Sequence, residues 1–465
     1  MRIAHITDPH LRHHLPGSSA IPRRRSREAA ELLADAAADA KTRGADVIVL
    51  TGDLVDVPMY LFGPERDAEA DEPLWAAARA DYRLVRRILD GTGLPWIALP
   101  GNHDSHRLVA EELGDGAPIR DVGGVRFVSF WDREVHHNRP QRILAERHRF
   151  DQVLAEPGPL PQVHLQHYVI SPVLDEEYPH TYLEGHELLR RISESTIVRL
   201  VLSGHYHVGV KPAQHGGALL SVTPALTESP HPYRLFDLDP QSGRTTWEQV
   251  DIRTSVPMKP AIFLDRDGCI NTLASYTAGP EAMELIPGAA GAIRKLREAG
   301  YRVVVITNQS CIGLGYATPA VVEEVNDRMS LLLAAEGAVV DAIYTSPQAG
   351  ERAIAPEWSG DDEAKPSPAM LLRAAAELRI DIESSWMVGD RWTDVEAALT
   401  CGATPVLVLT GAEPAAKRPP VGDTEQRYHI ADDLPAAARL ILDGARSRTA
   451  GLASAAVGSP PSLRP

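Results

Sequence analysis

The chain has 465 residues, of which 44% are hydrophobic and 24% charged. That length supports two or three domains with their own cores, and that balance rules out a wholly disordered polypeptide. The formal net charge of −16 disfavours tight, sequence-independent nucleic-acid binding, which draws on basic contacts to phosphates, yet leaves room for a local basic pocket around a small phosphorylated ligand.

From the N-terminus, short β-branched runs alternate with long Ala/Leu/Arg/Glu stretches. Strands are expected at RIAHIT, DVIVLT, PWIALP, VRFVSF, VHLQHY and VRLVLSG, with helices across 26–43 and 73–90. YRLFDLDPQSGRTTWEQVDI has the form of a hairpin about a PQSG turn. Residues 253–260, RTSVPMKP, carry two prolines and no periodicity, which predicts a linker between domains at 1–252 and 261–445. From Ala261 a new alternation begins: AIFLD, a helix near 289–299, YRVVVITN, a helix over 319–336, DAIYTS, a helix over 368–378, SWMVGD, a helix from Asp394 and TPVLVLT. This is the βαβ rhythm of a doubly wound parallel sheet. Residues 446–465, rich in Ala, Ser, Gly and Pro, are expected to form a disordered tail.

Cys269, Cys311 and Cys401 form no CxxC pair, so neither a disulfide framework nor a cysteine zinc site is supported. No apolar run approaches the ~18 residues of a membrane span. The N-terminus has no leader-like pattern, and the expected location is the cytoplasm.

Five pieces stand in order in the first domain: DPH (Asp8, His10), GDLVD (Gly52, Asp53), GNHD (Gly101 to Asp104), QHY (His167) and GHYH (His205, His207). All but His167 come just after an apolar strand, where a sheet projects side chains into one crevice. Carboxylate, amide and imidazole ligands without thiolate suit two divalent cations, with Asp53 the natural bridge. Two cations ~3.5–4 Å apart activate water and steady both oxygens of an in-line displacement at phosphorus. Any single piece is more often a turn or a structural histidine; the ordered set carries the functional reading.

The set resembles the calcineurin-like metallophosphoesterases, in their bacterial cyclic-nucleotide-phosphodiesterase-like branch, across about residues 1–250. The resemblance implies a four-layer α/β/β/α sandwich, with Asp8, His10, Asp53 and His207 on one metal and Asp53, Asn102, His167 and His205 on the other. Fe, Mn and Zn pairs all occur in that family. It makes His103 the group that contacts the phosphoryl or protonates the leaving oxygen, with Asp104 orienting it. His164 is the alternative to His167, which is preferred because it stands at the strand's end. Loops 58–73 and 131–142 are expected to shape the pocket, with His136 and His137 solvated rather than ligating.

The second domain opens on AIFLDRDGCIN. Asp265 ends the strand and Asp267 follows two residues later; VVVITNQS supplies Thr307 and Asn308, AKPSP supplies Lys365, and WMVGDRWTD supplies Asp390 and Asp394. A carboxylate attacking an anionic phosphoryl group meets repulsion, which a magnesium ion, a lysine and hydroxyl donors offset. A second acid, for which Asp267 is placed, protonates the leaving oxygen and then activates water.

This pattern resembles the haloacid dehalogenase (HAD) superfamily phosphatases over about residues 258–445, most closely the histidinol-phosphate and heptose-bisphosphate phosphatase subgroup. The resemblance implies a Rossmann-like domain with no large cap. Asp265 is then the nucleophile, Asp267 the general acid/base, and Thr307 and Lys365 the phosphate binders, with Asn308 beside them. Magnesium would be held by Asp265, Asp390 and the Asp267 carbonyl, and Asp394 would support Lys365 or the ion. Members often carry a cysteine/histidine zinc loop before the lysine. Here the stretch from Thr345 to Pro368 contains neither residue type, so zinc is ruled out there and heptose bisphosphate is put in question as substrate. Cys311 stands where glycine is usual and is expected to be a buried neutral thiol.

The chain is thus expected to be a bifunctional phosphoesterase acting on a small phosphorylated metabolite, a sugar phosphate or a nucleotide. The first domain is expected to hydrolyse a phosphodiester or phosphomonoester and the second a phosphomonoester through an aspartyl-phosphate; acting in sequence, the first would open a diester and the second strip the monoester it leaves. The alternatives are nucleic-acid end processing, and a non-catalytic binding or regulatory role for one domain.

Overall fold

The computed structural model describes the chain apart from residues 18, 20, 22, 59–71, 115–117, 136–137, 157, 175–177, 253–257, 273–278, 412–427 and 456–465, and the side chains of 445–455. Most of the loop at 58–73, His136 and His137, the first five linker positions and the last ten residues of the expected tail therefore lie outside the described residues. The chain divides into two compact units, residues 1–15 with 23–255 and residues 16–22 with 256–465.

The first unit runs β1 (Arg2–Ile6), α1 (Ala29–Thr42), β2 (Val47–Thr51), α2 (Glu72–Thr92), β3 (Trp96–Leu99), α3 (His106–Leu113), β4 (Ile119–Val122), β5 (Val125–Ser129), β6 (Arg133–Glu134), β7 (Pro140–Gln141), α4 (Leu144–Ala155), β8 (Gln162–Leu165), α5 (Gly185–Glu194), β9 (Val198–Ser203), β10 (Val210–His215), β11 (Ala218–Val222), β12 (Pro232–Leu238) and β13 (Thr245–Asp251). The main sheets have the orders β13-β12-β1-β2-β3 and β10-β11-β9-β8-β5-β4. Successive side chains on a strand face opposite ways. Ile3, Val47, Val49 and Leu99 of one sheet and Phe127, Val163, Leu165 and Leu202 of the other therefore join in a single core, the packing of a two-sheet sandwich. Val128 and Val201 point the opposite way and pack with Phe150 and Val153 of α4 and Leu188 and Ile192 of α5. Helices α1 and α2 pack on each other.

The second unit runs β14 (Ala261–Leu264), α6 (Ala289–Glu298), β15 (Arg302–Asn308), α7 (Pro319–Ala335), β16 (Ala342–Ser346), α8 (Ala369–Leu378), β17 (Trp386–Gly389), α9 (Trp392–Cys401), β18 (Thr404–Val408), β19 (His429–Ala431) and α10 (Leu434–Ala455). Its six strands form one parallel sheet in the order β16-β15-β14-β17-β18-β19. Both faces are covered, which is why AIFL and VVVI are unbroken apolar runs. Ile262, Leu264, Val303 and Val305 pack with α6, α7 and α10, while Phe263, Val304 and Ile306 pack with α8 and α9. The chain leaves β14 toward β15 on one side and returns to β17 on the other. That reversal opens a crevice at the strands' carboxyl ends.

The bounds differ from expectation at two places. Lys259 already pairs with Ile380, its N–H donating to the Arg379 carbonyl (3.2 Å) and its carbonyl accepting from Asp381 (3.0 Å), so the end of the expected linker is stitched into the second unit. Helix α10 continues to Ala455, through the first ten residues of the expected tail. Among the described residues no helix is long and apolar enough to cross a membrane.

Candidate active sites

In the first unit, the loops after β1, β2 and β3 and the turns after β8 and β9 bring the expected side chains together. Asp8, His10, Asp53 and His205 all take left-handed backbone, with φ of 50°, 46°, 49° and 66°. Gly204 is required as glycine because a Cβ there would strike the side chains of Thr7 and Asp8. Ligand atoms of Asp8, His10, Asp53 and His207 lie within 4.8 Å of one another, as do those of Asp53, His167 and His205. His10 Nε2 and His207 Nε2 face each other at 3.0 Å. Asp53 Oδ2 stands 3.4 Å from His10 Nε2 and 3.5 Å from His167 Nε2, between the two groups.

His167 Nδ1–H donates to the Thr51 carbonyl (2.8 Å). In the neutral ring that leaves Nε2 as a bare lone pair, 3.0 Å from Asn102 Oδ1 and 3.1 Å from His205 Nδ1. Asp8 Oδ1 is buried and accepts no hydrogen bond. Electron pairs converging on electron pairs repel unless positive charge lies among them. Burial works against the His167 imidazolium, but Asp53 and Asp8 outweigh it and push its pKa up to about 10, so the field of this pocket favours a cation. The donor set fits a pair of divalent ions.

His103 lies beside this cluster, its ring 4.7 Å from that of His10 and its side chain 25% exposed. Its backbone N–H donates to Asp53 Oδ1 (2.8 Å). Contrary to expectation, Asp104 does not orient it. That carboxylate accepts from the N–H groups of Leu54, Val55 and Gly101 and from the Tyr82 hydroxyl, and burial with the Asp53 charge pushes it up to about 7. The partner of His103 Nδ1 is Asp56, at 2.8 Å. Burial raises the Asp56 carboxyl, but Arg12, His10 and His103 more than reverse this. Asp56 stands inside the GDLVD motif, three residues after Asp53, so its signal was present. Glu228, which takes His207 Nδ1 at 2.7 Å, lies in a stretch without any motif. His164 is elsewhere, bonded to Gln162 (2.9 Å) among the rings of Phe130 and Phe150.

In the second unit, Asp265 follows β14, and Asp390 and Asp394 follow β17; an oxygen from each lies within 4.8 Å of the others, all buried. Lys365 Nζ reaches Asp265 Oδ1 (2.9 Å), Asp394 Oδ1 (2.6 Å) and the Ile306 carbonyl (2.7 Å). Burial opposes the lysine's charge, but the two carboxylates hold its pKa above the usual value. Burial pushes Asp394 up to about 6 against the pull of Lys365. Three buried carboxylates against one lysine leave the group short of positive charge, and an oxygen-ligated divalent ion fits there. Gly268 turns beneath Asp390 at φ 79°, where a Cβ would come within 2.7 Å of Asp390 Oδ2.

Asp267 points away from that trio. Its carboxylate accepts from Arg266 Nη2 (2.9 Å), Gln309 Nε2 (2.8 Å) and Asn271 Nδ2 (2.9 Å). Burial raises it, but these partners bring it below the usual carboxylate range. Thr307 Oγ1 accepts from Gln309 (2.9 Å), and Thr307, Asp265, Asp267 and Lys365 line one cavity of ≈ 520 Å³. Asn308 lines the same cavity, and its side chain has a further task. Its Oδ1 accepts from the Lys365 N–H and its Nδ2 donates to the Lys365 carbonyl, both at 2.9 Å, so it holds the lysine's backbone. Sequence reading missed Arg266 and Gln309, although both sit inside the motifs. Cys311 is buried with Ile312 and Val322, and burial pushes its thiol up.

Residues 1–209 match the calcineurin-like phosphoesterase family and residues 363–437 the HAD-hydrolase-like family. A D-glycero-D-manno-heptose-1,7-bisphosphate 7-phosphatase of Thermosynechococcus vestitus is 36% identical over 187 residues, covering 39% of this chain and 95% of the relative. A D-glycero-beta-D-manno-heptose-1,7-bisphosphate 7-phosphatase of Salmonella typhi is 42% identical over 153 residues, covering 33% of this chain and 81% of the relative. The crystal structure of the D,D-heptose 1,7-bisphosphate phosphatase from B. bronchiseptica, complexed with magnesium and phosphate, has 32% identity and a TM-score of 0.36, covering 40% of this chain and 99% of that one.

Proposed function

The chain belongs to the calcineurin-like phosphoesterases through its first half and to the HAD-superfamily phosphatases, beside the heptose-bisphosphate phosphatases, through its second; from that premise we propose that the first site opens a phosphodiester and the second strips the phosphomonoester left behind. The supporting observation is that the two buried clusters are both short of positive charge but are equipped for different attacks on phosphorus. Only the second has a carboxylate, Asp265, paired to a lysine at the wall of a cavity.

We assign Asp8, His10, Asp53 and His207 to one cation and Asp53, Asn102, His167 and His205 to another, and Asp265, Asp390 and the Asp267 carbonyl to magnesium. Bound ions supply charge neutralisation at the phosphoryl oxygens and, in the paired site, water activated near neutral pH. His103, braced by Asp56, gives a proton to the leaving oxygen at the first site. At the second, Asp265 attacks phosphorus and the ester P–O bond breaks. Asp267 gives its proton to the departing oxygen, then takes one from the water that attacks the aspartyl phosphate. Its lowered pKa suits the second half, and a facing phosphate dianion raises it for the first. Lys365 and Thr307 hold the phosphoryl oxygens.

The substrate we infer is a small phosphorylated metabolite, a sugar phosphate or a nucleotide, met in the cytoplasm, where the free thiols of Cys269, Cys311 and Cys401 stay reduced. The relatives' names put a heptose bisphosphate forward; the segment before Lys365, which has neither cysteine nor histidine, favours another sugar phosphate or a nucleotide. Asp53→Asn and Asp265→Asn, assayed separately on a panel of diesters, test the sequence of steps. Asp53→Asn should leave diester intact, and Asp265→Asn should accumulate monoester with no inorganic phosphate. Wild-type protein that releases monoester from every diester without further hydrolysis would end the sequential reading.

A further inference from the structure

Between Ser346 and Lys365 the chain passes from the end of β16 to the lysine of the second site. The segment has two short 3-10 turns, Gly350–Arg352 and Pro356–Trp358, and no strand. It has neither cysteine nor histidine, and hydrogen bonds tie its two ends together. One amide makes most of the link across it. Gln348 Oε1 accepts from the N–H groups of Glu363 (2.8 Å) and Ala364 (3.2 Å), and Gln348 Nε2 donates to Asp362 Oδ1 (2.7 Å). Asn308 then takes up both backbone groups of Lys365, so residues 362–365 are pinned in succession by two amide side chains. Gln348 itself lines the cavity into which Asp265 and Lys365 face. Gly360 approaches so closely that a Cβ would come 2.6 Å from Gln348 Nε2 and 2.8 Å from Asp362 Oδ1.

A lysine that must meet a phosphoryl group has to be held to within about half an ångström, and it is held there by what fixes its backbone. We propose that Gln348 is a positioning residue of the second site: its amide clasps residues 362–364 and so sets where Lys365 meets the phosphate, without a metal in the segment. This rests on the reading of the second unit as a phosphatase. Loop stitching alone would give the same hydrogen bonds but would leave phosphate affinity untouched.

The test uses the full chain as wild type, Gln348→Ala, Gly360→Ala and Lys365→Ala. Gly360→Ala displaces the Gln348 amide from behind without substituting any side chain that lines the cavity. Hydrogen exchange at the Glu363 and Ala364 amides, binding of inorganic phosphate with magnesium, and kcat/KM on a phosphomonoester are measured. Both clasp variants should lose protection at the two amides. Phosphate affinity and kcat/KM should fall about tenfold, the scale on which residues behind a ligating group act, with the magnesium requirement unchanged. Clasp variants that bind phosphate as wild type does, whatever their exchange, would overturn the proposal. Wild type binding phosphate no better than Lys365→Ala would instead overturn the phosphatase reading, and the proposal with it.

Discussion

Four residues of the first cluster, Asp8, His10, Asp53 and His205, hold left-handed backbone that L residues avoid, at roughly 1–3 kcal/mol each. Such strain persists only where surrounding contacts over-determine it. Here they do: the Asp8 N–H donates to the Gly52 carbonyl (3.2 Å) and the His10 N–H to the Asp53 carbonyl (2.8 Å), which ties the first two motifs together. Asp56 extends the same lattice, taking His103 on one oxygen and Arg12 on the other. Replacing it as Asp56→Asn keeps the shape but removes the charge that orders the His103 ring. We expect kcat on a diester to fall about 10- to 100-fold, with both metals of the first site retained by mass spectrometry. His103→Asn should then add little in the Asp56→Asn background, whereas additive losses would mean the two residues act separately. The residues assigned to the ions were legible because ligand chemistry restricts their type and the motifs mark their place. Glu228 was not, because a carboxylate behind an imidazole is dictated by three-dimensional proximity alone.

At the scale of elements, the buried strands were the readable ones. VIVLT, AIFL and RVVVITN announce themselves because burial on both faces demands apolar residues throughout. Strand β4 (IRDV) is mostly exposed and β10 (VKPAQH) has at most half-buried positions, so neither leaves a hydrophobic signature. Helix α3 starts directly after GNHD. It is capped by Ser105, whose side chain accepts from the Leu108 N–H, and its eight residues are too few for a clear period. The Tyr82 hydroxyl joins α2 to that turn: it donates to Asp104 Oδ1 (2.8 Å) and accepts from the Ser105 N–H (2.9 Å). Tyr82→Phe removes both bonds of this buried hydroxyl. The expected loss is about 1–3 kcal/mol in urea unfolding of the first unit at unchanged m-value. A change below a few tenths would show that the hydroxyl adds nothing to what packing and the Arg79, Arg83 and Arg86 bonds to Glu112 already hold.

For the whole molecule, acidity acts through groups kept neutral inside the fold as much as through the −16 of its formal charge. His5 and His164 are fully buried, and burial, aided by Arg234 and Arg142 respectively, lowers each to about 3. In the unfolded chain both return to about 6.5. Between those values the unfolded state binds a proton that the folded state refuses, so stability falls as pH drops from 6.5 toward 3 and is unaffected by these groups above 6.5. At pH 5.5 each histidine then accounts for roughly 1.4 kcal/mol of lost stability. In metal-free protein His167 acts in the opposite sense: its raised pKa adds stability that is complete below 6.5 and fades as pH climbs to about 10. A single pH titration of the wild type would mix these contributions, and a comparison of variants separates them. His164→Gln removes one proton acceptor that is remote from the clusters. Between pH 7.5 and pH 5.5 the wild type should therefore lose about 1.4 kcal/mol more stability than His164→Gln, measured by denaturant unfolding of metal-free protein at fixed salt. Equal losses in the two proteins would mean that His164 takes up a proton without unfolding, and that its place between Phe130 and Phe150 admits charge.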